Sequence, residues 1–208
     1  MHLDIAWTLF IVSSLVLIAT PGQDMMLVMS RSLARGTVAG VAAAAGVSVG
    51  LVGHTLLATL GLGALLRASD WLFVVLKLVG AAYLVYLGIQ SLRAGAPPTR
   101  MATADGRSHA RTFADGALSN LSNPKIAIFY FAFLPQFVAT DAPHPALAIF
   151  VLGLSFAALT FAVKAPVAVF AGLLSSWLLA RPARLAWVHR ASGAILIGLG
   201  VKLALEKR

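Results

Sequence analysis

Six stretches of this chain carry almost no charge: Ile5 to Gln23, Gly36 to Leu66, Trp71 to Leu92, Gly116 to Thr140, Ala142 to Ala180 and Ala191 to Ala204. Several exceed the ~20 residues that an α-helix needs to cross a bilayer. Hydrocarbon satisfies no backbone amide, so a spanning segment must close its hydrogen bonds within a helix or around a closed barrel. Barrel strands alternate with a period of two, and runs such as Ile11 to Ile18 and Val38 to Val47 do not. With 60% hydrophobic residues, 11% charged residues and a mean hydropathy of +0.90, one soluble core cannot hold the apolar surface. The expected fold is an all-α integral membrane protein with six transmembrane helices.

The net charge of +9 is not a nucleic-acid footprint, because the basic residues fall in alternate loops instead of on one soluble face. Arg31, Arg35, Arg93, Arg100, Arg107, Arg111, Arg181, Arg184 and Arg190 follow spans one, three and five, against Arg67, Lys207 and Arg208 on the other side. The nine-to-three bias predicts a multi-pass membrane protein with both termini facing away from the cytoplasm. Trp7 and Trp71 then mark the outer interface, Trp177 and Trp187 the inner one. No Lys or Arg precedes Arg31, so the first span lacks the basic region of a cleavable signal and is expected to be retained. Without cysteine there is no thiol or disulfide chemistry, and neither a metal nor a cofactor is expected.

Three spans on each side of a basic linker rich in Gly and Pro suggest a duplication: residues 1-92, linker 93-112 and residues 113-208. An odd number of spans per half makes the repeats inverted in the membrane. Lys77-Leu-Val-Gly80-Ala81 matches Arg190-Ala-Ser-Gly193-Ala194 at the starts of spans three and six. The linker's charge suits attraction to anionic membrane lipid. In span two, Gly36, Gly40, Gly46 and Gly50 form two small-xxx-small pairs, a mark of close helix contact that also permits a homodimer.

Spans one and four are interrupted alike, by Thr20-Pro21-Gly22 and by Asn123-Pro124-Lys125, with Asp24 and Lys125 close by. Proline frees backbone groups that lipid cannot satisfy, so such breaks belong beside protein or a water-filled cavity. Matching breaks in two halves mark a transport site. Thr20-Pro21-Gly22-Gln23 reads as a capping box with Thr20 at the N-cap, and Asn123-Pro124 as a second cap, so two half-helices start inside the bilayer. The apolar part of span four, Ile126 to Ala139, reaches only about 21 Å at helical rise. Asp115, Ser119, Asn120, Ser122 and Asn123 must complete the crossing against protein or water.

Two half-helix N-termini suit a carboxylate, and Asp24 suits an ammonium. A small zwitterionic amino acid satisfies such a pocket, with Thr20, Pro21, Gly22, Asp24, Asn123, Pro124 and Lys125 as substrate-binding residues. A structural lock between Asp24 and Lys125 is the plainer alternative. Asp24 and His54, in span two, are the candidates for proton coupling, with a packed neutral histidine as the alternative for His54. Lys77 lies near enough to the interface to snorkel, while Lys164, two residues before Pro166, is a further cavity candidate of open depth.

At these residues the chain resembles the lysine exporter (LysE/RhtB) family of bacterial inner-membrane amino-acid exporters. The resemblance rests on Pro21-Gly22-x-Asp24, the run from Ser30 to Gly36, Asn123-Pro124-Lys125 and Phe133-Leu134-Pro135-Gln136-Phe137, and extends to the Gly193 to Gly200 region. It implies a six-helix secondary transporter, not an enzyme, that exports amino acids or close derivatives such as lysine, threonine, homoserine or homoserine lactone by proton antiport. The competing classes are an intramembrane serine hydrolase, suggested by Gly153-Leu154-Ser155 but without a later histidine at membrane depth, and a non-transporting membrane subunit. No GxxxxGK[ST] phosphate loop is present to drive transport by nucleotide hydrolysis.

Overall fold

Proline 21 sets the first feature of the architecture. Thr20, the residue before it, has extended backbone (φ −68°, ψ 124°), as steric conflict with the proline ring requires. Helix α1 (Trp7–Ala19) therefore ends, and α2 (Gln23–Arg35) restarts beyond Gly22 with its axis turned by 52°. Thr20 is thus the C-cap of α1 instead of the expected N-cap of α2. Its hydroxyl donates to the Val16 carbonyl at 2.8 Å and also meets the Ser192 hydroxyl, while Gly22 occupies the N-cap without any side-chain bond. Threonine serves a carbonyl four residues back as readily as an amide ahead, and here the completed helix claims it.

The computed structural model describes residues 5–68, 70–93, 108–138, 142–171, 173 and 182–205. Gly36, at φ +84°, ends α2 in a conformation that side chains disfavour and sends the chain into α3 (Thr37–Ala68). Free of proline, α3 runs unbroken for 32 residues. Next come α4 (Asp70–Arg93) and α5 (His109–Leu121), the latter started by Ser108, whose Oγ accepts the Arg111 N–H. Asn123 precedes α6 (Pro124–Phe133), and its carbonyl accepts the Ile126 and Ala127 amides, as expected of a residue heading a helix with proline first. A 3-10 turn (Leu134–Phe137), α7 (Pro145–Val169) and α8 (Pro182–Leu205) follow. Residues 94–107 of the basic linker, Trp177 and Lys207 to Arg208 lie outside the described residues.

Among the described residues α3, over Thr37–Gly61, and α7 are long and apolar enough to cross a membrane, and the bent pair α1 and α2 qualifies as a third span. Leu78–Arg93 and Ile126–Phe137 are shorter apolar helices. Outward-facing Leu60, Trp71, Trp187 and Leu205 present the apolar exterior of a membrane protein.

Glycines draw the helices together. A Cβ at Gly46 would come within 2.0 Å of the Phe113 carbonyl, one at Gly50 within 2.8 Å of the Asn120 side chain, and one at Gly116 within 2.7 Å of the Ala43 carbonyl, so α3 and α5 meet backbone to backbone. They run parallel. Gly40, Gly46 and Gly50, read as contact glycines, are thus occupied within the chain. Helices α4 and α8 meet where Gly88 faces Gly193 and Ala81 faces Gly200, and α3 meets α7 where Gly40 faces Ala168 and Thr55 faces Gly153. Both of these pairs are antiparallel. At the end carrying the N-terminus, Phe10, Phe129, Phe133, Phe137 and Phe156 pack ring against ring. There the Ala6 amide donates to the Phe137 carbonyl at 2.9 Å beside a single Ile5–Val138 bridge.

Candidate functional site

Beneath that aromatic block lies a cavity of about 380 Å³. Both breaks open onto it: Thr20, Pro21, Gly22, Gln23 and Asp24 from the first, Asn123 from the second. Gln90 and Ser91 of α4, Thr160 and Lys164 of α7, and His189 and Ser192 of α8 supply the remaining polar lining. Leu51, Phe129, Tyr130, Phe156 and Leu196 give it apolar walls. Its size and its few polar groups on an apolar ground suit a small solute.

Asp24 is the centre of the polar side. It stands in the first turn of α2, where the helix dipole favours a negative charge. The Asn120 amide donates to Asp24 Oδ2 at 3.0 Å, and Lys164 Nζ stands 3.8 Å from the same oxygen. Asn120 is fully buried because its helix rides against Gly50, and α7 carries Lys164 to the same spot. Across the breaks, Asn123 Nδ2 reaches Gln23 Oε1 at 3.5 Å, so the two interruptions touch.

The structure therefore assembles Thr20, Pro21, Gly22, Asp24 and Asn123 around one space. The side chains of Pro124 and Lys125 lie outside those described. The basic group found beside Asp24 is Lys164, which sequence reading had left at open depth. His54 is 2% exposed and sits behind the wall: its Nε2 meets the Asn120 carbonyl at 3.0 Å, and its ring lies 5.9 Å from that of Tyr130. It touches the site through the Tyr130 ring of the wall and through the Asn120 carbonyl, while the Asn120 side chain holds Asp24. Asn120 itself was legible only as a polar residue needing shelter; its place one turn before Asn123 was the available signal. Ser155, the conceivable nucleophile, donates to the Val151 carbonyl of its own helix at 2.8 Å.

Below the cavity, the Ser30 to Gly36 run ties α2 to its neighbours. Arg35 donates to Thr112 Oγ1 at 2.7 Å, Arg31 lies 3.7 Å from Asp115, and Ser32 donates to the Ala168 carbonyl. These contacts fix the orientation of α2, and with it the direction of Asp24.

The family model for LysE type translocators matches residues 15–207, from within the first broken span almost to the C-terminus. The chain belongs to this family. The translocator is 36% identical over 205 residues to an uncharacterised membrane protein of Pseudomonas aeruginosa, covering 95% of this chain and 94% of the relative. It is 32% identical over 198 residues to the homoserine/homoserine lactone efflux protein of Salmonella typhimurium, covering 95% of each. An uncharacterised membrane protein of Vibrio cholerae is 32% identical, with 97% of each chain covered. No solved structure matches the translocator.

Proposed function

We propose that this translocator exports amino acids or close derivatives, homoserine and its lactone among them, across the bacterial inner membrane in exchange for protons. The observation that carries the reading is Asp24, a carboxylate at the head of a half-helix, facing a cavity bordered by both broken spans. A substrate ammonium is the natural counter-ion for it. The likeness to a relative named for homoserine and homoserine lactone efflux supports that substrate class.

In this reading six spans form two inverted repeats, residues 1-92 and 113-208, joined by the basic linker 93-112, with both termini periplasmic. The antiparallel packing of α3 on α7 and of α4 on α8 supports it, since corresponding helices of inverted repeats run in opposite directions. The cavity then opens towards the side of Gln90, Ser91 and His189, the cytoplasmic one, and the aromatic block closes the other. Proton and substrate ammonium compete for Asp24, which couples the two fluxes. His54, sealed behind Asn120, is a packing residue.

Purified protein in liposomes tests this. A pH gradient, acid on the periplasmic-equivalent side, is expected to drive homoserine uphill towards that side, and a protonophore to stop it. His54→Gln is expected to keep pH-driven transport within about twofold of wild type, the range of a buried substitution away from the chemistry. Indifference of the wild type to the gradient rules out proton antiport; loss of the gradient response in His54→Gln alone moves the coupling from Asp24 to His54.

A further inference from the structure

Lys164 is 6% exposed, yet it lines the cavity, and its ammonium makes no hydrogen bond among the described residues. The oxygen it pairs with, Asp24 Oδ2 at 3.8 Å, is too distant for one. Asp24, by contrast, already holds the Asn120 amide. A cation buried at the edge of a cavity with its donors unused is a group awaiting an acceptor.

Counting charge among the described residues that line the cavity shows which acceptor. Asp24 and Lys164 cancel, so a zwitterion enters at no net charge: its ammonium meets Asp24 and its carboxylate meets Lys164. A substrate with the same ammonium but an esterified carboxyl leaves the site with one uncompensated positive charge, which low dielectric penalises heavily. We propose that Lys164 is the specificity determinant by which this translocator favours a free carboxylate over an esterified one. The inference rests on the export reading above. It makes a counter-intuitive demand: once Lys164 is neutral, Asp24 alone balances the esterified substrate, and the zwitterion becomes the one that leaves charge behind.

Homoserine and homoserine lactone share a carbon skeleton, and ring closure removes the carboxylate together with the free hydroxyl, so they are the probes and the change of their ratio on charge removal at Lys164 isolates the carboxylate. Initial rates of counterflow are measured for each in proteoliposomes at mildly acidic pH, where the lactone is cationic. Wild type is expected to favour homoserine, and Lys164→Met to lower the homoserine-to-lactone rate ratio at least about tenfold, the effect of one unbalanced buried charge. Lys164→Arg, which keeps the charge, is expected to hold the ratio within about threefold of wild type. Equal loss of both substrates in Lys164→Met, with the protein inserted and monodisperse, overturns the proposal and leaves Lys164 as a structural partner of Asp24. An unchanged ratio overturns it too. Should Lys164→Met fail to insert, wild type decides alone: equal inhibition of homoserine counterflow by homoserine and by its lactone overturns the proposal. A wild type that moves neither compound fails the export reading itself, and this inference falls with it.

Discussion

The two breaks use proline differently. At the first, Pro21 stands between helices, flanked by Thr20 and Gly22 as extended chain, and α2 restarts at a glycine N-cap without a side-chain bond. At the second, Pro124 is the first helical residue, and Asn123 supplies its carbonyl to the new helix at once. The supports differ as well. Helix α5, leading into the second break, is pressed against α3 through Gly46, Gly50 and Gly116, backbone on backbone, whereas α2 approaches α3 through Gly40 against the Ser32 side chain. The second break is thus the more firmly held, and the first carries Asp24, the charge to which the export reading assigns binding. Two interruptions that look equivalent in sequence are built and supported differently.

The sharpest way to break this comparison is to remove the charge. Asp24→Asn is expected to abolish homoserine gradient formation by at least about a hundredfold, since it deletes the ammonium partner and strands Lys164 in the same step. Asn123→Ala, which removes the long contact to Gln23 and no charge, is expected to slow transport by about tenfold or less. Comparable losses in gradient assays would make the breaks functionally equal.

The difference in support is tested by melting in detergent. Gly46→Ala must force the Phe113 carbonyl away and is expected to cost about 3 kcal/mol, the upper range for overpacking. Gly40→Ala meets the Cβ atoms of Ser32 and Ala168 at 2.6 and 2.9 Å, a shallower overlap than the 2.0 Å at Gly46, and is expected to cost about 2 kcal/mol. If Gly40→Ala proves the more damaging, α2 and not α5 is the anchored element.

Much of this was legible beforehand. Charge-free runs announced the helices, because lipid leaves the backbone no other partner, and the prolines announced where two would break. Close contact at Gly46 and Gly50 could also be read, although not that α5 would be the neighbour, since small residues state a distance and not an identity. The N-cap at Thr20 misled because a hydroxyl beside a proline has two backbone partners of equal merit. Lys164 as the companion of Asp24 was out of reach: the two meet only because α7 lies against the first break, and no local pattern records that contact.

The Ala6 to Phe137 hydrogen bond and the bridge beside it join the first residues of one broken span to the last residues of the other. One such bond is worth only about 1 kcal/mol. That is weak enough to be undone on every turnover, yet it makes the two ends part company together instead of one by one. On the export reading proposed above, this fastening sets how seldom that side opens.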